Sequence, residues 1–223
     1  MIIYEFDPAR YNFHTIVQDF LDTPDLAAMT SDVEVGEGEE DFSIYKQMER
    51  STAYERLYDR LDGPEGARFY DTFERFVRGV VRPQFDEPVL YQKKPTHRIH
   101  FRNDVGQSRF HKDTDYGHSA AEINYSVPQT AAFDTNTIWI ESAEDRGDYQ
   151  PIEMDVGEFA RFDGATLRHG AKENDTGRTR VSFDFRVIPV SQAPDQLTDT
   201  EHWEEGEQEN PLFQNAHDFA RCD

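Results

Sequence analysis

The stretch Arg178-Thr179-Arg180-Val181-Ser182-Phe183-Asp184-Phe185-Arg186-Val187-Ile188 alternates polar and apolar side chains from Arg180 onward. In an extended chain, residues two apart point to the same side. Arg180, Ser182, Asp184 and Arg186 are therefore expected on one face of a strand, with Val181, Phe183, Phe185 and Val187 on the other. Arg178 shares the parity of the first group but sits at the preceding turn. Upstream, similar short runs are separated by turn signals: His97–Arg102, Ser108–His111, Glu122–Val127, Thr137–Glu141 and Glu158–Phe162. The breaks fall at Asn103–Gly106, Pro128, Asp145–Asp148, Asp163-Gly164 and Asn174–Gly177. Six or more strands in about a hundred residues is too dense for a Rossmann domain and fits an antiparallel double-sheet jelly roll. Such a fold leaves a ligand cavity in its mouth.

The first 88 residues read differently. Ile16, Val17, Phe20 and Leu21 recur at helical spacing, and Thr23-Pro24-Asp25 resembles a second helix start. Thr52 and Glu55 have capping-box spacing ahead of Leu57, Tyr58 and Leu61, and Gly63-Pro64 ends that helix. Phe69, Phe73, Phe76, Val77, Val80 and Val81 form an apolar stripe that Pro83 stops. A stripe of this kind packs against a sheet. Residues 31–41, rich in Glu, read as a solvated loop or a cover over a site. The expected fold is thus α+β, mainly β: a single domain with a helical part (1–88) packed on one sheet, a jelly-roll core (89–190) and an acidic tail (191–223). In the tail, Trp203, Leu212, Phe213 and Phe219 are the candidate anchors.

Composition narrows the partners. The 223 residues carry a formal charge of −22, with 23 basic and 45 acidic residues and no basic cluster. Phosphate backbones and anionic membranes need such clusters, so nucleic acid and membrane surfaces are not expected partners. An acidic surface reads first as that of a generally acidic proteome from a salt-rich habitat, and only second as an attraction for a cationic substrate. The single Cys222 cannot pair within the chain, and the start shows neither a basic n-region nor a long apolar run. A cytoplasmic protein, monomer or homodimer, acting on a small molecule is the expectation.

The candidate chemistry centres on Phe110-His111-Lys112-Asp113-Thr114-Asp115. On a strand end His111 and Asp113 point the same way and can share one cation. His169, in Leu167-Arg168-His169-Gly170, is the natural third ligand, with His118 as its competitor. Two imidazoles and a carboxylate on one face, with the other positions open, is the donor set of non-haem Fe(II) oxygenases. Arg180 follows His169 by eleven residues (180 − 169) on the alternating strand. Its planar guanidinium can grip a carboxylate through two parallel hydrogen bonds and stays charged. Asn124 and Thr137 are either further contacts to an anionic cosubstrate or polar residues that support the strand ladder, and Arg98 is placed as a further contact from a strand face that reaches the cavity. His100, on the face of Arg98, is either a cavity residue or a core histidine, and Trp139 either walls the pocket or packs. Tyr116, Asp115, Glu122, Glu141 and Asp184 could form an acidic entrance.

Several runs together resemble the StrG-like branch of the Fe(II)/2-oxoglutarate oxygenases, allied to the phytanoyl-CoA dioxygenase group. They are Phe110–His118, Glu122–Pro128, Asn136–Ser142 and Arg178–Pro189, within residues 89–190. The resemblance implies a double-stranded β-helix of the cupin type. It implies His111, Asp113 and His169 as Fe(II) ligands, Arg180 on the distal carboxylate of 2-oxoglutarate, and O2 as co-reactant. Hydroxylation of a small polar metabolite, an amino acid, aminosugar or similar, would then release succinate and CO2. A cupin-like metal protein holding another dication, acting as an isomerase or binding module, stays open as an alternative. So does an interaction protein in which these histidines are ordinary polar residues.

Overall fold

Helix α1 (Phe13–Leu21) buries Phe13, Ile16, Val17, Phe20 and Leu21 along one stripe and ends at Asp22 in the left-handed conformation. The Thr23-Pro24-Asp25 signal yields a single 3-10 turn, Leu26–Ala28, with the Asp25 side chain accepting from the Ala27 N–H. Helix α2 (Thr52–Asp62) is capped one residue earlier than expected: the Ser51 hydroxyl accepts the Tyr54 N–H. Thr52 is itself the first helical residue, and its hydroxyl donates to Asp32. Helix α3 (Ala67–Phe76) continues through a π-type turn over Val77–Val81 and a 3-10 turn containing Pro83. The protein is described here by a computed structural model covering residues 1–33, 51–102, 110–194, 197 and 219–223. Residues 34–41 of the expected loop lie outside that set, as do the 103–106 turn, Ser108, Trp203, Leu212 and Phe213.

The strands are β1 (Ile2–Glu5), β2 (Val89–Gln92), β3 (Thr96–His100), β4 (Ile123–Pro128), β5 (Ile138–Ile140), β6 (Gln150–Pro151), β7 (Glu158–Phe162), β8 (His169–Ala171), β9 (Arg180–Pro189) and β10 (Phe219–Cys222). One sheet runs β1-β7-β4-β9-β2-β10, with β3 also on β9, and the other runs β6-β5-β8. The run expected to begin at Ser108 survives among the described residues as one bridge, His111 to His169. From β3 onward the pairings are nested. First pairs with last (β3·β9), the His111 segment with β8, β4 with β7, and β5 with β6. Nested antiparallel pairing of eight segments across two sheets is the jelly-roll topology.

Two departures concern the ends. β1 lies in the part read as helical and pairs antiparallel with β7, Ile2 opposite Arg161. β10 lies in the part read as an acidic tail and pairs with β2, Cys222 opposite Val89. Both are four-residue edge strands, too short to show a period of two against their surroundings.

The helices cover one sheet, as the apolar stripes require. Val181, Phe183, Phe185 and Val187 face them within the main core. The Phe13 and Phe183 ring centroids lie 4.9 Å apart, and those of Phe73 and Phe185 also 4.9 Å. Burying each large side chain contributes about 1.5–3 kcal/mol. Tyr54, itself fully buried on α2, accepts the Ile99 N–H at 2.8 Å and so satisfies a donor on β3. The opposite face of β9 looks into the space between the sheets. A smaller apolar cluster, Ala132, Ile140, Ile152, Met154, Ala160 and Phe162, occupies part of that interior. No helix among the described residues is long and apolar enough to cross a membrane.

Candidate metal and cosubstrate site

His111 and His169 are brought together by the backbone. Each accepts the other's N–H, at 3.0 and 2.9 Å, which locks the two segments in register and sets their ring centroids 4.7 Å apart. Asp113 follows in a 3-10 turn (Asp113–Tyr116), its N–H held by the Gly164 carbonyl at 2.9 Å. Gly164 leaves room for the ligand side chains: a Cβ there would come within 2.9 Å of both Asn124 and the His169 ring and would displace them. Ligand atoms of His111, Asp113 and His169 all lie within 4.8 Å of one another.

The orientation suits a shared cation. Asp113 Oδ1 stands 3.5 Å from His111 Nε2 and 3.6 Å from His169 Nε2. Two ligands at right angles around a cation at about 2.1 Å would be about 3.0 Å apart, so roughly half an ångström of closure suffices. His169 Nδ1 lies 3.2 Å from the Leu167 carbonyl. That carbonyl can only accept, which puts the ring proton on Nδ1 and the lone pair on Nε2, toward the cluster.

The second oxygen of Asp113 is already engaged. Oδ2 accepts from Asn124 Nδ2 at 2.8 Å and from Arg186 Nε and a terminal nitrogen at 3.1 and 3.0 Å. Burial opposes ionisation of Asp113. The hydrogen bond from His111, the Arg186 and His169 charges and the Asn124 amide outweigh it, holding the carboxyl well below the usual carboxylate range. Burial pushes the His169 imidazole down, against the pull of Asp113. Both shifts favour the ligand forms, carboxylate and neutral imidazole.

Arg180 is buried at 5% exposure on the interior face of β9. Its Nε donates to the Asn136 carbonyl at 2.6 Å, and a terminal nitrogen donates to Ser182 Oγ. Among the described residues no carboxylate lies within ion-pair distance of it. Burial pulls the guanidinium down to about 10, which the more distant Asp184 only partly offsets. A buried charge without a counter-charge is costly unless an anion joins it.

The remaining expected contacts are placed otherwise. Asn124 commits its amide to Asp113 and accepts the Gly164 N–H at 3.2 Å, so it supports the ligand turn. Thr137 is fully buried and gives its hydroxyl proton to the Ile152 carbonyl at 2.6 Å, a link within the smaller sheet. Arg98 forms a two-pronged pair with Asp184, at 3.1 and 3.4 Å, on the strand beside it. His118 Nδ1 lies 3.0 Å from Glu122 Oε2, and its ring is not among the clustered ligand groups. Glu122 is 5% exposed and 3.1 Å from Arg186, a buried counter-charge rather than part of an entrance. Trp139 donates its indole N–H to the Asp134 carbonyl and carries Lys172 over its ring, an outer-surface arrangement. Arg186 was missed as a site residue, although its parity with Arg180 on the alternating strand signalled an inward guanidinium.

No family model matches the chain. It is 37% identical over 147 residues to the streptomycin biosynthesis protein StrG of Streptomyces griseus, a match covering 66% of this chain and 67% of that protein. Similar solved structures include EctD from S. alaskensis with bound Fe, 18% identical, covering 86% of this chain and 73% of that one, TM-score 0.48. Another is HygX from Streptomyces hygroscopicus with nickel and 2-oxoglutarate bound, 12% identical, covering 85% and 82%, TM-score 0.47. The jelly roll rests on the nested strand pairing described above.

Proposed function

Because the chain belongs to the family of the streptomycin biosynthesis protein StrG, we propose that it is an Fe(II)/2-oxoglutarate-dependent oxygenase of a small polar metabolite. His111, Asp113 and His169 would hold the metal through two neutral nitrogens and one anionic oxygen. When bound, Fe(II) and 2-oxoglutarate supply O2-dependent oxidation of a substrate C–H bond coupled to release of succinate and CO2. Arg180 binds the distal carboxylate of the keto acid and so orients its other end toward the ligand cluster.

One observation favours this reading over a cupin-like isomerase or binding module: the buried Arg180 guanidinium has no carboxylate partner among the described residues. Such a metal protein has no need of an uncompensated interior cation, whereas a dicarboxylate cosubstrate supplies the missing charge. The polar character of the substrate is supported by the interior face of β3, β4 and β9, which carries Ser126, Ser182, Asp184 and its β3 partner Arg98. Hydroxylation of an amino acid, aminosugar or similar molecule is the outcome proposed.

The test is anaerobic addition of Fe(II) and 2-oxoglutarate, watching for the visible charge-transfer band of the chelate. Asp113→Ala should abolish iron binding and the band. Arg180→Ala should keep iron and demand much more 2-oxoglutarate for the same band. Identical titrations for wild type and both variants would refute the proposal.

A further inference from the structure

Arg186 poses a question of charge. A guanidinium clasping a ligand carboxylate would ordinarily cancel the charge that the carboxylate offers to a cation. Here it does not stand alone: Arg186 Nε is 3.1 Å from Glu122 Oε2 on one side, while Nε and a terminal nitrogen hold Asp113 Oδ2 on the other. Both carboxylates are almost fully buried, Asp113 at 2% and Glu122 at 5% exposure. Summed over the cluster, Asp113 (−1), Glu122 (−1) and Arg186 (+1) leave one negative charge facing the imidazoles.

We infer that Arg186 and Glu122 form a neutral positioning pair that makes Asp113 a one-oxygen ligand without consuming its charge. The inference rests on the metal-centre reading above. Asp113 Oδ2 is saturated by three donors, two from Arg186 and one from Asn124. Only Oδ1 is left for a metal, and rotation of the carboxylate to chelate with both oxygens would break those bonds. Glu122 balances Arg186, so the guanidinium acts through hydrogen-bond geometry and its positive charge does not repel an incoming dication. The Ser119 N–H donates to Glu122 Oε1 at 3.2 Å and holds that carboxylate in place. Arg186 and Glu122 are positioning residues acting through Asp113. Partners of this kind typically tune metal affinity by about 10–100-fold.

Co(II), whose visible d–d bands report coordination number, is the probe. It is titrated into wild type, Glu122→Gln, Arg186→Gln, Arg186→Lys, the Glu122→Gln/Arg186→Gln double variant and His169→Ala. Glu122→Gln, which leaves the Arg186 charge unbalanced, should weaken Co(II) by about tenfold while preserving the band shape. Arg186→Gln frees Oδ2 and should change the band shape and intensity. Arg186→Lys, keeping the charge with a single donor point, should recover part of the wild-type spectrum. The double variant should restore affinity toward wild type but keep the altered spectrum, since its charge sum again is −1 without the clasp. Wild-type affinity in Glu122→Gln, or a wild-type spectrum in Arg186→Gln, overturns the inference while leaving the metal centre standing. Absence of Co(II) binding by wild type, or binding that survives His169→Ala, overturns the metal centre itself and this inference with it.

Discussion

Replacing Arg180 with Met keeps most of the side-chain volume and removes the charge, and the outcome should run in opposite directions for stability and for binding. Burial lowers the guanidinium from its ordinary 12.5 to about 10. At 1.36 kcal/mol for each pKa unit, that is about 3 kcal/mol of unrelieved desolvation in the folded chain. The variant forfeits the hydrogen bonds to the Asn136 carbonyl and to Ser182 Oγ, about 1 kcal/mol each, although His100 Nδ1 remains 3.3 Å from the Asn136 oxygen. The ligand-free variant should therefore be more stable by about 1 kcal/mol, read as a higher midpoint in urea unfolding. The same change should weaken 2-oxoglutarate by about a hundredfold, the worth of a desolvated two-pronged carboxylate clasp. Isothermal titration of the Co(II)-loaded protein measures this. A variant that unfolds at lower urea than wild type would show that Arg180 is a net stabiliser. The argument from an uncompensated interior cation would then be wrong.

Two other perturbations follow from the same structure. His97 lies at 1% exposure among Phe69, Tyr58 and Phe183, with no hydrogen bond from either ring nitrogen among the described residues, and burial lowers it to about 4. Its folded pKa is below its unfolded 6.5, so its contribution is intact above pH 6.5 and is lost as pH falls toward 4. His97→Leu should spare about 2 kcal/mol of the stability that wild type loses between pH 7.5 and 5.0, and parallel pH curves from urea unfolding would contradict this. Gly164→Ala should lower Co(II) affinity by about tenfold with the fold retained, because the new Cβ displaces Asn124 and the His169 ring; unchanged affinity in a Co(II) titration would count against the crowding seen there.

What could be read in the chain was whatever periodicity and spacing encode. The alternation over Arg180–Val187 put four polar side chains on one face and four apolar ones on the other, and the structure turns the apolar face to the helices, with Phe183 beside Phe13 and Phe185 beside Phe73. The stripes over Ile16–Leu21 and Phe69–Phe76 likewise foretold which helical faces are buried. The edge strands β1 and β10 were not legible, since four residues carry no period of their own and form only against an existing sheet. Polar pairings across strands were equally hidden. Asn124 serves Asp113, Thr137 serves Ile152, Arg98 takes Asp184 and Arg186 joins Asp113 to Glu122. Local sequence sets which side of a strand a group leaves from, because that follows from backbone geometry. Its partner depends on which distant segment the jelly roll lays opposite, and long-range packing alone supplies that.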